Sequence, residues 1–215
     1  MKSLLIDTSN KVISLAINDD GINIAEINAN VARPHSETLM VYINHLFDYA
    51  GLDKSEIDRI IVARGPGSYT GVRIGVTVAK TLAFSLKTEL YSVSSLFVLA
   101  ASSDRRDVVV PLFDARRGNV FTAAYKFDGD RFEEVEPPGH MSFDDLKGKL
   151  KDEYACFYGN STEQFKNVDG FNHLTPRIAD VERFAEALKQ ESVHEFVPEY
   201  LRVSEAERNW MDKNQ

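Results

Sequence analysis

The sequence predicts a mixed α/β fold in two similar lobes. Three observations carry that prediction. Strands and helices interleave, neighbouring strands follow one another through tight turns, and a strand–aspartate–turn–strand unit occurs twice, with its first strand ending at Asp7 and again at Asp114. Helices alternating with hairpins point to mixed sheets with helices on their faces. Two copies half a chain apart point to an internal duplication rather than a solenoid.

Residues 3–6 and 12–18 read as strands, with Asp7-Thr8-Ser9-Asn10 supplying turn residues between them. Residues 22–27 make a third strand after Asp19-Asp20-Gly21, so the chain opens on an antiparallel meander. A helix follows over residues 36–50. Pro34 blocks an earlier start, Ser36 is the expected N-cap, and Gly51 is the expected residue past the C-terminus. Leu39, Tyr42, Ile43, Leu46, Phe47 and Ala50 form one apolar stripe. Met40 and Val41 lie off that stripe and are candidates for a second contact surface. A strand at 59–63 leads into Gly65-Pro66-Gly67-Ser68-Tyr69-Thr70-Gly71 and a second helix over 70–86. This helix is apolar nearly all round, through Val72, Ile74, Val76, Val78, Leu82 and Leu86, as expected of a helix buried on several sides or lying at an interface. Gly71, Gly75, Ala79 and Ala83 recur every fourth residue, a groove into which another helix could pack closely. A strand at 90–93 and a helix at 95–101 complete the first lobe.

Residues 102–107 are polar and charged and mark the lobe boundary. The expected division is a first lobe over 1–104, a second over 105–197, and a charged tail over 198–215 packing back on the first lobe. The second lobe opens with a strand at 108–113, the turn after Asp114, and a strand at 120–126. A loop at Pro137-Pro138-Gly139, a helix at 143–150, a strand at 155–158 and a helix at 180–190 follow.

Composition narrows the function. The chain has 215 residues, 43% hydrophobic and 27% charged, which is ordinary for a globular protein. No apolar run reaches the length of a membrane span. The opening Met1-Lys2-Ser3-Leu4-Leu5-Ile6-Asp7 meets a carboxylate too soon for a signal peptide and reads as a buried strand. The single cysteine, Cys156, excludes an intrachain disulfide, and a reducing, cytoplasmic home is the simplest expectation. The net charge is −8, from 25 Lys and Arg against 33 Asp and Glu. Nucleic-acid affinity draws mainly on phosphate neutralisation, so an acidic chain without a long basic run is expected to bind nucleic acid poorly on its own. The basic pairs Arg105-Arg106 and Arg116-Arg117 read as solvated loop charge.

Catalytic patterns are weak. The loop at Gly65 joins a strand to a helix N-terminus, where free amides and the helix dipole could meet an anion. It lacks the Gly-Lys-Ser/Thr ending of a Walker loop, and Thr70 stands where the dinucleotide pattern needs glycine. A tight turn with Ser68 or Thr70 as helix cap accounts for it. None of His35, His45, His140, His173 and His194 sits four residues from another, so no helix presents an imidazole pair to a metal. Cys156 lies in an apolar strand, and no Gly-x-Ser-x-Gly elbow occurs.

Five segments resemble the TsaB (YeaZ) family, in order along the chain. They are Leu4-Leu5-Ile6-Asp7-Thr8-Ser9; Arg33-Pro34-His35-Ser36-Glu37-Thr38-Leu39; the stretch from Gly65, Pro66, Gly67, Ser68, Thr70, Gly71 and Arg73 to Ala83; Asp114-Ala115-Arg116-Arg117-Gly118-Asn119-Val120-Phe121; and Pro198-Glu199-Tyr200-Leu201-Arg202. The resemblance implies an α/β, two-lobed actin-like fold of the ASKHA class, a duplicated ribonuclease H-like motif. It also implies a non-catalytic subunit supporting TsaD, with the ATPase TsaE in the same assembly, in forming N6-threonylcarbamoyladenosine next to the anticodon of tRNAs. Contact with tRNA would come only through that complex, and homodimers would use a surface overlapping that for TsaD. Residues expected to include partner contacts are Met40, Val41, His45, Ile74, Val78 and Leu82.

The resemblance also implies a lost active site. The catalytic paralogue carries a His-x-x-x-His metal motif after the corresponding helix, where this chain places Ser95 and Leu99. Neither replaces a histidine ligand, so no catalytic residue, metal or cofactor is expected on the isolated chain. A nucleotide site at the partner interface stays open. In actin-like ATPases, carboxylates placed like Asp7 and Asp114 organise metal and phosphates beside glycine-rich hairpins. Here Thr8-Ser9 and Ala115-Arg116-Arg117 follow instead, so turn capping is the expected role. An actin-like ATPase or kinase, and a peptidase, are the competing readings.

Overall fold

In a computed structural model the described residues are 1–30, 32–103, 107–160, 165, 168 and 170–201. The chain runs β1 (Lys2–Asp7), β2 (Val12–Asp19), β3 (Ile22–Asn30), α1 (His35–Ala50), β4 (Arg59–Ala63), α2 (Tyr69–Leu86), β5 (Glu89–Val93) and α3 (Ser95–Ala101). It continues through β6 (Val108–Asp114), β7 (Asn119–Asp128), β8 (Arg131–Ser142), α4 (Phe143–Lys149), β9 (Ala155–Gly159), β10 (Phe171–His173) and β11 (Lys189–Glu191).

Two sheets form, in the orders β11-β5-β4-β1-β2-β3 and β10-β9-β6-β7-β8. In the first, β1, β2 and β3 are an antiparallel meander, and β4 and β5 continue parallel from β1. In the second, β6, β7 and β8 are the meander, and β9 and β10 continue parallel from β6. The same five-strand order occurs twice, so the architecture is the duplicated, actin-like one. Helices α1 and α2 cover the outer face of the first sheet, through Leu39, Ile43, Val72 and Val76. Helix α3 lies between the sheets, and α4 covers the outer face of the second.

Local chemistry sets most boundaries. Helix α1 ends at Gly51, left-handed at φ 65°. Its N-cap, however, is Pro34 and not Ser36, with no side-chain cap; the fixed φ of proline suits the entry to a helix. Ser68 caps α2, its hydroxyl accepting from the Gly71 amide at 3.2 Å.

Two expectations are corrected. The loop at Pro137-Pro138-Gly139 is part of β8. This is an edge strand, and its ladder with β7 shifts register near Thr122 and Ala124; edges and bulges are where a strand tolerates proline. The helix expected over 180–190 is instead two 3-10 turns, Ile178–Arg183 and Ala185–Ala187, followed by β11. Ile178, Val181, Phe184 and Ala187 recur every third residue and turn to the core, the spacing that eclipses in a 3-10 helix.

That segment also crosses back earlier than expected. The Glu182 carboxylate accepts from Ser3 Oγ (2.5 Å) and Asn18 Nδ2 (2.7 Å) and pairs with Arg59. Strand β11 then joins β5, and Lys80 Nζ donates to Phe196 O at 2.6 Å. The return to the first lobe therefore begins at Ile178, not at residue 198. Of the tail, only 198–201 lies within the described residues.

Candidate functional site

The turn after β1 and the loop before α2 meet at one end of the first sheet. The Asp7 carboxylate accepts from the Ser9 amide at 2.8 Å. At the equivalent place in the second lobe, Asp114 accepts from the Arg116 amide at 2.7 Å. Both aspartates thus cap their own turns, as the short polar side chain in such a turn favours. Asp7 is fully buried and its Oδ2 has no hydrogen-bond partner. Burial raises its pKa to about 6, against the lowering effect of the Ser9 hydrogen bonds and of nearby His35. The imidazole of His35 is bonded through Nε2 to Asn10 O at 2.7 Å.

The glycine loop is packed tightly against this turn. The Ser68 amide donates to Ser9 O at 2.7 Å, and Thr8 Oγ1 donates to Gly71 O at 2.8 Å. Gly67, at φ 157°, has no room for a Cβ beside Ser9 O. Gly65 and Pro66 are buried, and a Cβ at Gly65 would come within 2.5 Å of Glu199 O. Glu199 is fastened there twice, its amide to Arg64 O at 2.8 Å and its carboxylate to Arg64 Nε at 2.7 Å. The amides of Gly65, Ser68 and Gly71 are thus bonded within the chain, and the loop works as a tight connection.

Beside the loop lies a cleft of about 730 Å³ between the lobes. Its walls include Lys11, Ser68 and Tyr69 from the first lobe, Asp114, Arg116 and Asn160 from the second, and Glu199 to Leu201. The Tyr69 and Tyr200 rings stack at 5.0 Å. No sequence pattern announced this cleft, because its lining comes from segments far apart in the chain.

The predicted contact residues gather on the outer face of α1 and α2. Met40 and Val41 are 41% and 49% exposed, and His45 is exposed and stacks on Tyr49. Ile74, Val78 and Leu82 are half-buried at the margin of the first-lobe core. Tyr49, stacked on His45, is 75% exposed, and Phe84, edge-on to His194, is 64% exposed. The sequence reading missed both, although Phe84 was visible as a bulky residue off the buried stripe. The small-residue groove is corrected: Gly71, Gly75, Ala79 and Ala83 are buried against the chain's own sheet, with Gly71 and Gly75 tight on Thr8. Arg73 is exposed, its guanidinium over the Tyr69 ring and donating to the hydroxyl at 2.5 Å.

Ser95 and Leu99 are both buried, and Ser95 Oγ accepts from the Gly65 amide at 3.1 Å. Among the described residues no three His, Cys, Asp or Glu side chains cluster as metal ligands would, and no helix is long and apolar enough to cross a membrane. Arg105, Arg106 and Arg202 lie outside the described residues.

Comparison with known proteins gives a consistent picture. The family model for TsaD, tRNA N6-adenosine threonylcarbamoyltransferase, matches residues 27–181. The chain is 36% identical to the tRNA threonylcarbamoyladenosine biosynthesis protein TsaB of Bacillus subtilis, over 99% of both chains. It is 32% identical to the protein of the same name from Escherichia coli, over 60% of this chain and 56% of that one. Among solved structures, an uncharacterized Pseudomonas aeruginosa protein with similarity to peptidase YEAZ superposes with a TM-score of 0.80 at 25% identity, over 94% of this chain and 99% of that one. YeaZ from the same organism gives 0.74 at 24% identity, over 93% and 99%, a likeness of fold.

Proposed function

The chain belongs to the TsaB (YeaZ) family, and from that premise we propose that it takes part in threonylcarbamoyladenosine formation on tRNA as a non-catalytic subunit. Its direct partner is a TsaD-type transferase, which it supports through the outer face of α1 and α2. TsaE joins the assembly, tRNA is met within it, and a second copy of the chain competes for the same face. The location that goes with this role is the cytoplasm, and the lobes divide where β6 begins.

The observation that carries the reading is the exposure of Met40, Val41 and Tyr49 on α1, beside the half-buried Ile74, Val78 and Leu82 of the neighbouring α2. Clustered exposed apolar residues of this kind mark protein contact surfaces. Ile74, Val78 and Leu82 sit where a partner would complete their burial.

Light scattering after size-exclusion chromatography tests the proposal, with this chain alone, with its cognate TsaD, and with Val78→Glu in place of the wild type. The expected result is a complex of defined mass that Val78→Glu abolishes while remaining folded by circular dichroism. No complex at micromolar concentrations, with both proteins folded, overturns the reading. Global unfolding of Val78→Glu would instead assign that residue to the core, and Met40→Glu then tests the same face from an exposed position.

An ATPase or kinase reading draws on the interlobe cleft. The turn-capping roles of Asp7 and Asp114 leave neither carboxylate set in a phosphate-gripping hairpin, and the subunit reading requires that the purified chain not hydrolyse ATP.

A further inference from the structure

The arginines of this acidic chain are used in two ways. Arg59, Arg64 and Arg177 each hold a carboxylate. Arg116 and Arg117, and with them Lys11, hold none among the described residues. All three are exposed, and Lys11 and Arg116 line the same interlobe cleft, one from each lobe. The two carboxylates of that cleft are engaged. Asp114 accepts from the Arg116 amide, and Glu199 is paired with Arg64. Among the described residues the three cations Lys11, Arg116 and Arg117 thus outnumber the one remaining cleft carboxylate, Asp114, although the chain as a whole carries −8.

The backbone under the arginines adds an independent observation. Arg116 and Arg117 are both left-handed, at φ 66° and 55°, and Gly118 follows at 77°. A hairpin of this shape selects Asn, Asp or Gly, because a side chain with a Cβ is disfavoured there. Two neighbouring arginines held in that conformation fit a functional constraint better than turn chemistry. Beside them the stacked, half-exposed rings of Tyr69 and Tyr200 line the same cleft. Unpaired cations next to exposed aromatic rings are the features with which proteins hold single-stranded nucleic acid, phosphates on the cations and a base on the ring.

We infer that this cleft rim is an RNA contact surface. Lys11, Arg116 and Arg117 meet backbone phosphates, and the Tyr69–Tyr200 pair stacks against an unpaired base. The inference rests on the tRNA-modification role proposed above and adds to it a direct contact by this chain.

The test is fluorescence anisotropy with a short labelled single-stranded RNA and with a tRNA transcript. Each is titrated with the chain alone and with the chain plus its cognate TsaD, over a salt series. The variant is Arg116→Asn/Arg117→Gly, chosen because both new residues suit left-handed backbone. It should raise the thermal midpoint while weakening RNA binding about tenfold, and it should lower the salt slope by about 1.4 for two lost phosphate contacts to a single strand. A second variant, Tyr200→Leu, should weaken binding with the slope unchanged. Affinity and slope unmoved in the arginine variant overturn the inference, as does wild-type chain and complex that both fail to bind either RNA at low salt. Light scattering on the same samples separates this from the partner reading. An intact complex whose RNA affinity is unmoved sinks the cleft and leaves the scaffold. A complex that never forms sinks the scaffold, and the titration of the chain alone then decides the cleft.

Discussion

Asp7 sits at the end of a central strand with one carboxylate oxygen served by the Ser9 amide and the other without a partner. Burial raises its pKa to about 6, so the folded chain holds this proton more tightly than the unfolded one. The sign follows from linkage: stability contributed by Asp7 is fully present at low pH, falls as pH rises from about 4 to 6, and is missing above that. The cost at neutral pH is on the order of 2 to 3 kcal/mol. Asp7→Asn keeps an acceptor for Ser9 and carries no charge. It is expected to stabilise the chain at pH 7 by about 1 to 3 kcal/mol and to flatten the stability profile between pH 4 and 6, read by urea unfolding across a pH series. Equal stability of the two proteins at pH 7 would show that the buried carboxylate is solvated or paired after all. The residue's place at a strand end before a turn was legible in Leu4-Leu5-Ile6-Asp7-Thr8-Ser9. Its missing partner was not, because an unsatisfied oxygen depends on what the rest of the fold fails to bring near it.

Helix α2 shows how far a pattern in sequence reaches at the level of one element. Its length, a cap at Ser68 or Thr70 and its abundance of apolar residues could all be read in advance, since each is set within the helix itself. Which side faces which neighbour could not. The Gly71-Gly75-Ala79-Ala83 row suited a partner helix, yet the row is buried against the chain's own sheet, and Gly75 lies against Thr8 Oγ1 in the turn after β1. Gly75→Ala therefore adds a methyl where Thr8 leaves no space, and is expected to destabilise the fold by about 1 to 3 kcal/mol while leaving the outer face of α2 unaltered. Chemical denaturation gives the first quantity and partner binding of the folded fraction the second; a variant as stable as wild type would return the row to the interface. The segment after Ile178 teaches the complementary lesson. Its apolar residues recur at three rather than three and a half to four, and that difference separates two 3-10 turns from the helix expected there. Of the exposed apolar residues on these helices, Met40 and Val41 stood out in the sequence as lying off the stripe, whereas the exposure of Tyr49 and Phe84 depends on how α1 and α2 pack on the sheet.

At the level of the whole molecule, the duplication was readable and the closure was not. Two strand–aspartate–turn units foretold two like sheets, and both sheets have the same strand order. The way the chain returns rests on Glu182, far in sequence from its partners Ser3, Asn18 and Arg59. Removing a buried carboxylate from such a group leaves the arginine uncompensated, at about 3 to 5 kcal/mol. Glu182→Ala is thus expected to lose that much in guanidinium unfolding, and proteolysis should cut the variant first between residues 174 and 191; a loss below about 1 kcal/mol would show the cluster to be solvated. The layer between the sheets has a further consequence. Helix α3 is buried along its whole length, and Phe97 touches Tyr125, Phe127 and Phe132 of the second sheet as well as Phe184 of the returning segment. A hinge needs two bodies that can separate without tearing a common core, and here the core is common. The lobes are welded rather than jointed, and the two sheets move as one body.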